Sequence, residues 1–185
     1  MTKKSTMMTT ANLENPEPPK VVKKTRRPRK KASPAAAKKL PSNPFMNEIL
    51  EVVSEQKTDA KKVAILKEYE CDIIKSLFIW NFDDSIISLL PEGKVPYKPN
   101  ENPLGTDHSS LRREQRNLYM FVKGGNDTLS TIRRETIFIQ MLEGLHPKEA
   151  DIIVAVKDGD LEDMYDVPFE VVEEAYPDIE WGGRS

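Results

Sequence analysis

The chain has 185 residues with 28 Lys and Arg against 30 Asp and Glu, and that near-balance conceals two oppositely charged parts. Residues 1–45 hold 12 basic and 2 acidic side chains, a net of +10, whereas residues 46–185 hold 16 and 28, a net of −12. A single cysteine, Cys71, excludes an intrachain disulfide and a thiolate-rich metal site, and no apolar run approaches the length of a membrane span or an export signal, so a cytoplasmic protein is expected.

The first part, residues 1–42, is rich in Lys, Pro, Ala, Ser and Thr and contains no aromatic residue. It has too little apolar area to offset the entropy of ordering, which predicts a disordered tail. Within it, "KVVKKTRRPRKKASPAAAKK" places ten basic side chains in twenty positions with no acid: Lys20, Lys23, Lys24, Arg26, Arg27, Arg29, Lys30, Lys31, Lys38 and Lys39. Neutralising phosphates needs only such side chains, because each contact releases counterions whatever the base sequence. Non-specific DNA or RNA binding is therefore the expected role of these ten residues, with a solubilising leader or a fold-back onto the acidic body as the alternatives.

Composition changes at "SNPFMNEILEVVSEQ", and residues 43–185 read as one acidic helical domain. Asn43 is the expected N-cap of a first helix with Pro44 at its first position, and Ile49, Val52 and Val53 follow at helical spacing. Thr58 and Asp59 begin a second helix through Val63 and Leu66. The apolar "DIIKSLFIWNF" matches a helical period better than a strand, with Trp80 in the core, and "DDSIISLLP" predicts a short helix capped by Asp83 or Asp84. Four prolines and two glycines in residues 91–107 exclude regular structure and predict a long loop, packed through Val95, Tyr97 and Leu104.

Helices resume beyond it. Thr106 or Asp107 is the expected cap of "HSSLRREQRNLYMFVK", which ends at Gly124. Asp127 or Thr128 opens "LSTIRRETIFIQMLEGL", Pro147 opens "PKEADIIVAVKDG", and Pro168 opens "PFEVVEEAY". The expected fold is all-α: an irregular helical bundle with a Pro-rich internal loop and a disordered basic N-terminal tail.

The strings "LPEGKVPYKPNENPLGTDH", "NLYMFVKGGN", "RRETIFIQMLEGLHPKEADIIVAVKD" and "AYPDIEWGG" resemble an uncharacterised protein family of T4-like bacteriophages, chiefly of cyanobacterial and other marine hosts. The resemblance covers residues 46–183. It implies a phage gene product in the host bacterial cytoplasm or the virion, and it implies no activity. Members of that family begin near Met46, so the basic tail is either an added arm or an over-extended start.

Candidate sites are few. Arg112, Arg113, Arg116, Arg133 and Arg134, in the repeated "LRRE" and "IRRE", could form one anion or partner site if their helices cross, or two solvated faces if they do not. Trp181, in "AYPDIEWGGRS", is either a partner anchor or a ring that closes the bundle. His108 and His146 are the only histidines, with no companion donors marked for a metal. "KDGDLED" fails the calcium-loop pattern, because Asp163 stands where glycine is required and Phe169 where the bidentate Glu belongs.

No nucleophile has an identifiable base, so no catalytic residue, metal or cofactor is assigned. The leading expectation is a non-enzymatic phage accessory protein whose body binds a phage or host protein and whose arm binds nucleic acid, with no membrane role. A virion assembly protein and a regulator of a host protein such as RNA polymerase are the alternatives.

Overall fold

Eight α-helices and one 3₁₀ segment make up the regular structure of residues 40–103, 106 and 108–183, the residues described by the computed structural model. The fold is all-α, and among the described residues the only β-type pairings are two isolated bridges, Ser88 with Val122 and Ser109 with Leu145. The disorder and nucleic-acid contacts expected of residues 1–39 lie outside the described residues.

The helices are α1 Met46–Ser54, α2 Asp59–Glu68, α3 Asp72–Phe82, α4 Leu111–Glu114, α5 Thr131–Gly144, α6 Pro147–Asp158, α7 Leu161–Tyr165 and α8 Phe169–Ala175; the 3₁₀ segment Gln115–Phe121 continues α4. The apolar α3 packs on α6, and Ile73, Ile74, Leu77 and Phe78 join Ile152, Ile153 and Val156 in one buried core. Around that pair, α2 packs against α8 and α1, and α1 also touches α6 and α7. Tyr176 closes the α2 side: its hydroxyl donates to the Leu66 carbonyl at 2.8 Å in a fully buried position. That burial pushes the phenol far above its ordinary pKa.

Helix starts follow local chemistry more closely than the expected caps did. The first helix begins at Met46 rather than Pro44, because the Glu48 carboxylate accepts the Phe45 N–H at 2.9 Å and fixes Phe45 as the N-cap. α6 starts at Pro147 as expected, where a missing N–H costs nothing, with the His146 ring nitrogen accepting from Lys148 N. It stops at Gly159, whose φ of 81° suits glycine, and Asp160 N–H closes the turn on the Ala155 carbonyl at 2.9 Å.

The segment expected as a short helix, "DDSIISLLP", is extended instead. Asp83 is spent on a turn, its Oδ1 accepting from Ser85 N and Oγ. Beyond it the chain pairs with the end of the 3₁₀ segment, Leu89 N–H to the Phe121 carbonyl and Lys123 N–H to the Ile87 carbonyl. Likewise α5 starts at Thr131, three residues later than Thr128, with Ser130 at the cap position.

Buried charge ties the loops to the helices. Lys157, on α6, donates to the carbonyls of Pro91 at 2.9 Å and Gly93 at 3.2 Å and pairs with Asp158, whose carboxylate takes Gly93 N–H. Farther along, the loop is held by Lys98 N–H on Glu143 and by the Tyr97 hydroxyl on Asp151. Lys62, only 5 % exposed, reaches from α2 to the carboxylate and carbonyl of Asp166, whose φ of 50° ends α7 in the left-handed region that Asp tolerates.

The most consequential buried charge is Glu149, in the first turn of α6 and fully inaccessible. Its Oε1 accepts the N–H of Met46, first residue of α1, at 3.1 Å, and its Oε2 accepts the N–H of Leu111, first residue of α4, at 3.0 Å. One carboxylate thereby satisfies an orphan donor on two helices while sitting at the N-terminus of a third. Desolvation raises its pKa, against the opposing pull of those two N–H groups and Arg112. Because the folded pKa is raised, protonation favours the folded state; the contribution of this group is present at low pH and lost as pH rises through the folded value. Replacing Glu149 by Gln turns an NH₂ toward one of the two N–H groups and is expected to cost about 1–3 kcal/mol in urea unfolding. Glu149→Ala, which orphans both, is expected to cost at least as much; a loss under about 0.5 kcal/mol for both variants would refute this role.

Candidate functional site

The largest concavity among the described residues is an open groove of about 770 Å³ between α3 and the α4–3₁₀ segment. From α3 come Ser76, Ile79 and Trp80, spaced three and four apart on one helical face. From the other wall come Arg112, Arg113 and Arg116, followed by Leu118, Tyr119 and Val122. No carboxylate lines it, although residues 46–185 are net −12.

The 3₁₀ geometry of that wall determines which side chains meet. In an α-helix each step of three residues rotates by about −60°, so Arg113 and Val122 would stand on opposite faces. At three residues per turn, positions three apart eclipse: Arg116 and Tyr119 lie so within the 3₁₀ segment, with Arg113 in the last turn of α4 before it and Val122 just beyond it, and all four line the groove. The carbonyls at the end of this wall are held from outside. Arg134 Nε donates to the Met120 carbonyl at 2.8 Å and its Nη2 to the Asn126 carbonyl at 2.9 Å, while Leu89 takes the Phe121 carbonyl. At the front, Glu114 accepts from Ser109 Oγ and Asn117 Nδ2, both at 2.7 Å.

The five arginines singled out by the repeated "RRE" thus separate. Arg112, Arg113 and Arg116 share the groove, Arg133 is exposed on α5 away from it, and Arg134 is 4 % exposed and committed to backbone carbonyls. Arg134 is structural for a plain reason: a guanidinium carries several donors in a fixed fork, and here two of them hold one turn. Arg112 Nη2 donates to the Pro44 carbonyl at 3.3 Å. The guanidinium groups of Arg113 and Arg116 have no hydrogen-bond or ion-pair partner among the described residues, and both residues are exposed.

The floor is apolar. Trp80 lies nearly parallel to Phe121, ring centroids 6.4 Å apart at 13°, and only 7 % of it is accessible. Tyr119, on the rim, is 51 % exposed. Two residues of the lining, Trp80 and Arg112, carry buried N–H groups, Nε1 and Nε, without a partner among the described residues, an arrangement that costs free energy. Sequence reading placed Trp80 in the core and missed Ile79, Leu118 and Tyr119 as site residues. Of these, Tyr119 alone carried a sequence signal, the spacing of three that it shares with Arg113 and Arg116.

Trp181 packs back onto the bundle. Its ring meets Phe169 edge-on at 5.0 Å, Phe169 meets Phe82 at 5.7 Å, and the next residue, Gly182, donates its N–H to the Asp83 carboxylate at 3.2 Å. The half-buried indole closes the α8 end and borders an open hollow of about 510 Å³.

The two histidines, far apart in sequence, come together: their rings sit 5.4 Å apart and nearly perpendicular, where the Pro-rich loop reaches the start of α6. His108 Nε2 bonds the Asn102 carbonyl at 2.7 Å. No group of three or more metal-binding side chains exists among the described residues. Burial, the neighbouring His108 and Lys148 hold the His146 pKa below its ordinary value.

Fold and groove together define an all-α protein with an arginine-rimmed, apolar-floored trough. Residues 49–163 match the family of unknown function DUF6433, and the chain belongs to it. No curated protein and no solved structure matches the chain. No helix among the described residues is long and apolar enough to cross a membrane.

Two outcomes are expected here. A Cβ built on Gly125 falls 1.8 Å from the Tyr119 carbonyl oxygen, so Gly125→Ala must displace the backbone of the rim; it is expected to lower stability by about 1–3 kcal/mol in thermal unfolding, whereas Gly144→Ala, which meets nothing, is expected to be neutral or stabilising. Because the His146 pKa is depressed, its contribution to stability is present above the unfolded value near 6.5 and lost as pH falls through the folded value. The melting temperature is therefore expected to fall between about pH 7 and 5.5, and His146→Asn, which keeps a capping side chain, is expected to flatten that fall.

Proposed function

We propose that the chain is a non-enzymatic accessory protein of a T4-like phage that works by bringing two partners together in the host cytoplasm. Its basic segment, Lys20 to Lys39, supplies non-specific affinity for DNA or RNA, and its helical body binds a protein. The observation that carries this reading is the separation of charge: +10 in residues 1–45 against −12 in residues 46–185. Ten basic groups within twenty positions suit a polyanion and need no fold to act, with an expected Kd of about 10⁻⁴ to 10⁻⁶ M at physiological salt. The acidic body repels the same polyanion within a Debye length of about 8 Å, which leaves it available for another class of partner.

A salt series on duplex and single-stranded DNA tests the division of labour. The full-length protein is expected to bind with log K falling linearly against log salt, at about −0.9 per phosphate contact on duplex. A full-length variant with Lys20, Lys23, Lys24, Arg26, Arg27, Arg29, Lys30 and Lys31 changed to Gln is expected to lose that binding. Undiminished affinity in the variant would place the nucleic-acid site in the body and overturn the reading.

A further inference from the structure

We infer that the groove between α3 and the α4–3₁₀ segment is the protein-binding site of the body, and that its occupant is an acidic amphipathic helix of a partner protein. This deepens the reading above, on which it rests for the premise that the body binds a protein.

Charge comes first. Arg113 and Arg116 are exposed, their guanidinium groups unpaired among the described residues, and Arg112 stands beside them. In a body of net −12, a trough with three guanidinium groups and no carboxylate in its lining is a local inversion of sign. It selects for carboxylates or phosphates and against the chain's own basic segment, which carries the same sign.

Spacing comes second. Arg113, in the last turn of α4, and Arg116, near the start of the 3₁₀ segment, are three residues apart, about 4.5–6 Å along the axis at a rise of 1.5–2.0 Å per residue. Carboxylates at i and i+4 of an α-helix are also about 6 Å apart along its axis. Glutamates at that spacing can face Arg113 and Arg116 in register, while the intervening face of the helix turns apolar side chains onto Ile79, Leu118 and Val122.

The apolar floor decides among acidic ligands. An extended peptide laid in it would leave half its backbone N–H and C=O groups against hydrocarbon, whereas a helix satisfies its own. A nucleic-acid strand has phosphates at a comparable spacing but lacks aliphatic groups for the floor. Its bases would need stacking faces, and Trp80 is buried against Phe121, leaving Tyr119 as the one exposed ring in the lining.

The test uses the full-length protein and a labelled helical peptide of about 15 residues, with leucine at i, i+3, i+4 and i+7 and glutamate elsewhere, read by fluorescence anisotropy. A second peptide with every leucine changed to serine keeps the charge and reports binding to the basic segment alone. The leucine peptide is expected to bind about tenfold more tightly than the serine peptide, and that difference is expected to vanish in R113E/R116E, whose changes lie at exposed positions. Tyr119→Ser, which leaves every charge in place, is expected to narrow the same difference. Equal binding of the two peptides, or a difference that survives R113E/R116E, overturns the inference. So does a loss of oligo-dT affinity in R113E/R116E without a loss of peptide affinity, which would assign the groove to nucleic acid. Self-association of the wild type that the double variant abolishes would likewise overturn it, by assigning the groove to a second copy. Failure here leaves the salt dependence of the basic segment intact, so the two readings fail separately.

Discussion

Glu149 is the point on which the arrangement of this bundle turns. Its carboxylate joins the first residues of α1 and α4 to the first turn of α6, so three helix beginnings separated by up to 103 positions are held within hydrogen-bonding reach of one another. A buried carboxylate is costly, and its raised pKa records that cost. What it provides in exchange is direction: hydrophobic contact alone would let α4 slide on the core, whereas two N–H donors on opposite oxygens fix where the α4 chain starts. Arg112 follows one residue later, and its charge opposes the desolvation of Glu149 while its side chain lines the groove. The structural centre and the candidate site are therefore adjacent by construction.

The same economy of buried charge recurs wherever an irregular segment meets a helix. Lys157 holds the start of the Pro-rich loop, Lys62 holds the left-handed end of α7, Arg134 holds the turn after the 3₁₀ segment, and Asp83 holds both its own turn and Gly182. Each meets backbone groups that no helix or sheet could satisfy, and this is how a chain with long non-helical stretches avoids orphaned donors and acceptors. The extended segment after α3 and the end of the 3₁₀ segment are joined by the Leu89–Phe121 and Lys123–Ile87 hydrogen bonds.

The chemical character of the groove is set by its lining. Its lining offers guanidinium groups, hydroxyls and hydrocarbon, but no carboxylate, histidine or cysteine to move a proton or form a bond. Membership of a family of unknown function leaves physical character as the guide, and that character is a positively rimmed trough on a negative body. A basic segment and an arginine groove both seek anions, yet they are built for different ones. The first, read from composition, suits a long uniform polyanion; the second, with fixed spacing and an apolar floor, suits a short patterned one.

Much of this was determined locally and was therefore legible in the residues themselves. The all-α class, the extents of α3 and α6, the Gly159 stop and the Pro-rich loop follow from periodicity, capping residues and proline, all of which act within a few positions. The charge division is a property of the residues alone. What only the tertiary structure decided are features whose partners lie far away in sequence. "DDSIISLLP" has helical spacing but becomes extended because Phe121 and Val122 offer it a backbone ladder. The second "RRE" repeat has the same local form as the first, yet Arg134 is drawn inward by the carbonyls of Met120 and Asn126, leaving only the first repeat to build a site. After Glu114 the α-helix gives way to a 3₁₀ segment, where Arg116 and Tyr119 stand one turn apart, and this change of pitch was not written in the local pattern. Local pattern sets which residues can be helical; the competition for backbone hydrogen bonds, settled only when the chain is folded, sets which side chains meet.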